Sequence, residues 1–226
     1  MELLASACVG VGLAAACGAR VFLPLFILAL GSYLGVAEPS GSFAFVASPW
    51  AVVALGLACV LELGAYYIPV LDHALDVAGA PAATLAGTLA MAANLGDAQP
   101  LVTWGSAIIA GGGLALAVRS ATSTTRAAST LTTGGLGNSI YATIENVLAA
   151  ALSILALLLP IFAGVLVILS LISALLIIRH VRARRKARHE IDSLRDGELA
   201  FDLYDSIEEA RAQRMNTGVA ARLRAG

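Results

Sequence analysis

Arg20, Arg119 and Arg126 are the only Lys or Arg in the first 178 residues; the other eleven all fall in the last 48. A domain surrounded by water spreads Lys and Arg over its whole surface. A long stretch this poor in cations is expected to face hydrocarbon, and any charge left inside it then needs a partner or a task. Composition points the same way. The chain is 59% hydrophobic and 13% charged, whereas soluble domains carry roughly 25% charged residues. The prediction is an all-α polytopic membrane domain over residues 1–178 and a cytoplasmic basic and acidic tail over 179–226.

Residues 3–36 form an apolar run too long for one perpendicular span of ~20 residues. Gly18, Arg20 and Pro24 interrupt it, which fits either two short helices meeting at a break or one long tilted helix. A second span is expected over 50–67, with Trp50, Tyr66 and Tyr67 at its ends and Glu62 inside. Ile68-Pro69 should stop it. A short helical piece over 70–79 and a new helix opened by Pro81 should follow. After an apolar segment over 101–118, residues 119–138 are rich in Ser and Thr and carry Arg119 and Arg126. Such polarity belongs at a surface, in a protein-lined cavity or in a re-entrant segment.

Between Glu145 and Arg179 no residue is charged. A straight helix of that length would reach ~50 Å, beyond the ~30 Å hydrocarbon core, so two spans turning at 160–164 are preferred to one kinked helix. In all, about five to six membrane segments are expected, some broken or re-entrant. A likeness between residues 12–16 and 113–117, each followed by arginine, raises an inverted repeat of the kind found in transporters. Arg179, Arg182, Arg184, Arg185, Lys186 and Arg188 come directly after the last apolar run. That cluster places the C-terminus in the cytoplasm of a cell whose inner membrane holds the protein. Its expected partners are anionic lipid headgroups rather than nucleic acid.

The intramembrane charges are the candidate site. A charged side chain at mid-span costs ~2.5–3.5 kcal/mol on insertion scales. Arg20 with Glu62, and Arg126 with Glu145, are the natural pairs, acting either as helix staples or as parts of a pathway. Asn138 and Glu145, seven apart, share a helix face. Asp72 and Asp76, four apart, share another with His73 beside them, a set able to relay protons or hold a divalent cation. In residues 1–178 the acids outnumber the arginines by seven to three, which tilts the expectation towards a cation or proton pathway. No zincin, nucleophile-elbow or phosphate-loop motif occurs. Cys8, Cys17 and Cys59 follow no ligand spacing and read as packing thiols. No enzyme activity and no cofactor are expected, and neither is a cleaved signal peptide, since no basic stretch opens the chain.

Two blocks carry a family resemblance. The first is Ala47-Ser48-Pro49-Trp50, Leu61-Glu62 and Ile68-Pro69 with Asp72 and Asp76. The second is Thr125-Arg126, Gly137-Asn138-Ser139-Ile140, Ile144-Glu145-Asn146 and Leu159-Pro160. Over roughly residues 10–178 the chain resembles an uncharacterised bacterial membrane family, domain of unknown function 4126. The resemblance implies a multi-pass helical protein with Glu62, Asp72, Asp76, Arg126, Asn138 and Glu145 on motif positions, and it brings no activity. Two departures stand out: Asn146 replaces a second acid, and Tyr66-Tyr67 replace an Asp-Lys pair.

The function expected is a transporter or channel for a small ion or polar solute, with proton or cation coupling, built from Arg20, Glu62, Asp72, His73, Asp76, Arg126, Asn138 and Glu145. The alternative is a non-transporting scaffold whose tail docks lipid or a partner; a headgroup-modifying enzyme is a third. A homo-oligomer is compatible with all three.

Overall fold

The apolar, glycine-punctuated sequence leaves backbone polar groups only one economical solution in lipid, the α-helix. The computed structural model describes residues 2–39, 41–65, 69–96, 99–133, 136–184, 186, 201 and 204, and no strand occurs among them. The helices are α1 (Glu2–Ala19), α2 (Phe22–Tyr33), α3 (Pro49–Ala65), α4 (Pro69–Asn94), α5 (Pro100–Ser106), α6 (Gly113–Thr133), α7 (Leu136–Leu158) and α8 (Pro160–Arg184). A 3-10 turn, Gly41–Ala47, precedes α3, and a π-helical stretch, Ala107–Gly112, joins α5 to α6. The chain divides into two compact units, residues 1–170 and 171–226. The expected tail lies mostly outside the described residues.

Three helical stretches are long and apolar enough to cross a membrane: Pro100–Ser129, Ile140–Leu158 and Pro160–Arg184. A fourth arises if Gly41–Ala47 and Pro49–Ala65, bent by 68°, form one span. By length and composition, these are helices able to cross a membrane. The count is below the five to six segments expected, because α1 and α2 are each too short alone and α4 is less apolar.

Small residues set the packing. Leu13 to Cys17 in α1 are buried, and α1 packs against α4, α6 and α7. A Cβ at Gly12 would come within 2.7 Å of Ala156 Cβ, and one at Gly18 within 2.6 Å of the Ala115 carbonyl oxygen. Such close backbone approach replaces the hydrophobic drive that lipid removes.

Several expected boundaries shift. The apolar run over 3–36 is indeed two helices, with the break at Arg20 and Val21. The two pieces expected on either side of Pro81 are one helix, α4, with Pro81 inside it. Proline lacks its own N–H and its ring crowds the carbonyl one turn earlier, a local cost, and α4 packs against both α1 and α6. Residues 119–133, expected at a surface, in a cavity or in a re-entrant segment, are helical. They continue α6, where Ser120, Thr124, Thr125 and Thr132 each donate a hydroxyl to the carbonyl four residues earlier. Hydroxyls satisfied within the helix make this polar stretch compatible with it. The suggested repeat also loses its matching break, since α1 stops before Arg20 whereas α6 runs through Arg119 and Arg126.

At Leu159-Pro160 the chain turns. Leu148 and Ser170 line one apolar groove with Leu152, Leu155, Leu166 and Val167, yet a straight helix would hold them ~33 Å apart. The stretches on either side of the turn, up to Ser170, therefore fold back towards each other.

Candidate functional site

Breaking a helix strands backbone donors. Past Ala19 the α1 pattern ends with Arg20 N–H donating to Ala16 O at 3.0 Å. The next two N–H groups, of Val21 and Phe22, open α2, and no side chain near them in sequence caps them. Glu62, on α3, supplies both acceptors: Val21 N–H donates to Oε1 at 2.7 Å and Phe22 N–H to Oε2 at 2.9 Å. A carboxylate on a helix N-terminus meets both the orphan donors and the positive end of the helix dipole. Glu62 is 5% exposed.

Arg20 is fully buried at the same break. Its Nη1 donates to Ala19 O at 3.1 Å and its Nη2 to Ala142 O at 3.0 Å, while its Nε donates to Asn146 Oδ1. Nη1 also forms an ion pair with Glu145 Oε2 at 3.0 Å. Arg126 approaches that same oxygen from α6, with Nε at 3.1 Å and Nη2 at 2.5 Å. Glu145 Oε2 thus serves two guanidinium groups from different parts of the chain. Its other oxygen, Oε1, is buried with no hydrogen-bond partner among the described residues.

The expected pairing of Arg126 with Glu145 is present, but Arg20 pairs with Glu145 and not with Glu62. The reason is geometric: both Glu62 oxygens are taken by the backbone immediately after Arg20. All four groups still meet around one break, brought there by α3, α6, α7 and the α1–α2 junction. Asn138 lies on α7, half-buried, two turns before Glu145. Asp72, His73 and Asp76 lie on α4, and their side chains are outside the described residues. Arg119, 2% exposed, donates through Nη2 to Leu75 O on that helix at 2.9 Å, and a Cβ at Gly79 would overlap its guanidinium.

Sequence reasoning missed Asn146, Ala142 O and Arg119 as partners. The signal for Asn146 was its place in the second motif block. Where the resembling family tends to carry an acid, Asn146 retains the acceptor that Arg20 Nε needs. Among the described residues no three His, Cys, Asp or Glu side chains gather as a metal site. Two apolar hollows, one between α7 and the start of α8 and one beside Leu28, Phe43 and Val46, are lined by none of these charged side chains.

The family described as Domain of unknown function (DUF4126) matches residues 7–180. The chain belongs to that family. The match spans the whole arginine–glutamate site of this DUF4126 protein and ends where the basic cluster begins. No curated protein and no solved structure matches the chain.

Proposed function

We propose that this DUF4126 protein is a transporter or channel that passes a small ion or polar solute, coupled through a buried carboxylate, across the inner membrane. One observation carries the reading. At the break between α1 and α2, two buried arginines share one oxygen of Glu145, while its second oxygen is buried with no hydrogen-bond partner among the described residues. Intramembrane ionisable groups mark pathways, and discontinuous helices build midplane binding sites. Taking α1–α2 as one broken span beside α3, α4, α5–α6, α7 and α8 gives six membrane segments. The basic cluster that begins at Arg179, in the last turns of α8, supports a cytoplasmic C-terminus near anionic headgroups.

The alternative is a non-transporting scaffold in which the same ion pairs only staple helices together. Flux into proteoliposomes separates the two. Ion movement above that of empty vesicles, lost in Glu145→Gln while the protein still elutes as a folded species, supports transport. Flux equal to empty vesicles for protons and common ions removes it.

A further inference from the structure

The 17 residues of α3 bury only two side chains, Cys59 and Glu62. By contrast, α1 buries an unbroken run from Leu13 to Cys17 and packs against α4, α6 and α7. α3 rests mainly on α2, with lesser contacts to the 3-10 turn and α4. Its outward face, with Val53, Leu57, Val60 and Leu61, is exposed. Where α3 meets α2, a Cβ at Gly56 would lie 3.1 Å from the Phe26 ring. Cys59 and Leu63 join Leu23, Phe26 and Ile27 in one small apolar cluster. In lipid such a contact holds weakly, because leaving α2 exchanges one apolar neighbour for another.

The polar tie is then what keeps α3 in place. Among the described residues, the only hydrogen bonds joining α3 to another helix or helix junction are the two that Glu62 accepts from Val21 and Phe22. The other end of α3 is built to pivot. Ser48 Oγ accepts the Ala51 N–H at 3.2 Å, so α3 carries its own N-terminal cap. The chain bends by 68° between the 3-10 turn and α3, at Ser48. The helix can swing about that point without losing a turn.

We propose that α3 is a latched gate: it undocks from α2 as a unit when Glu62 releases Val21 and Phe22, and so opens the α1–α2 break that holds Arg20. Water entering the opened break satisfies the two freed backbone donors, so opening breaks the latch and leaves the other helices packed. A gate of this kind does not depend on the transport reading, and its test needs no flux.

Cys59 reports the gate. It lies three residues before Glu62, on the same side of α3, and is 4% exposed. The full chain is purified in detergent with Cys59 as its sole cysteine, and in a second form with Ser153→Cys as the sole one. Ser153 is fully buried on α7. Alkylation by N-ethylmaleimide is timed as sodium dodecyl sulfate is added. Cys59 should react about tenfold or more faster than the Ser153→Cys probe. Its rate should stay nearly flat at low dodecyl sulfate while that of the α7 probe climbs, since a local opening exposes little new surface. In Glu62→Gln, Cys59 should react roughly five- to a hundredfold faster, as expected for one lost buried acceptor. Equal rates for the two probes, rising together, would mean that α3 opens only with the whole bundle, and would overturn the gate. An unchanged Cys59 rate in Glu62→Gln would remove Glu62 as the latch and the proposal with it. Should Glu62→Gln not fold, Glu62→Asp, which draws the carboxylate back by one methylene, carries the second comparison.

Discussion

Glu62 and Glu145 are both buried carboxylates, yet their substitutions should behave differently because their partners differ. In Glu62→Gln one of the two backbone donors at Val21 and Phe22 loses its acceptor, which should cost ~1–3 kcal/mol. The midpoint of thermal unfolding in detergent, followed by Trp fluorescence, reads this directly. Glu145→Ala leaves two buried guanidinium groups without their shared carboxylate and should cost ~3–5 kcal/mol. Its folded yield on size-exclusion should fall well below that of Glu62→Gln, and equal yields would count against the shared ion pair. The sequence made Glu62 and Glu145 legible as candidates because carboxylates are expensive in lipid. It did not reveal that Glu62 serves backbone rather than Arg20, since a cap reaching 41 residues along the chain leaves no local spacing to read.

The elements show where periodicity ran out. Pro81 and the hydroxyl-rich stretch after Arg119 looked like helix ends, yet α4 and α6 pass through both. Tertiary packing overrides such local signals, and glycine is what allows that packing here. The π-helical stretch meets α4 so closely that a Cβ at Gly111 would lie 2.5 Å from Gly87 O, while one at Gly113 meets nothing within 4 Å. Gly111→Val should therefore abolish most folded protein. Gly113→Ala should be neutral or raise stability by up to about 1 kcal/mol through helix propensity. Detergent-extracted yield and melting midpoint of the two variants test the contact. Similar losses in both would indicate that helix flexibility, and not close approach, is what these glycines supply.

Over the whole molecule, the asymmetry of Lys and Arg was the feature that read most plainly, and the helical, membrane-compatible architecture followed from it. Orientation is the corresponding prediction. Lys186 is exposed, so in a background without the natural cysteines Lys186→Cys should react with an impermeant maleimide in inside-out vesicles and resist it in intact cells. The reverse pattern would invert the topology. The number of segments was less legible, because α1 and α2 each fall short of a span and only the break at Arg20 relates them. That break also sets a timetable. The Asn146 that binds Arg20 is synthesised 126 residues after it, roughly 6–25 s later at ~5–20 residues per second on the ribosome. Until then the contacts of Arg20 with α7 cannot form, so the α1–α2 break is completed only once α7 has been made.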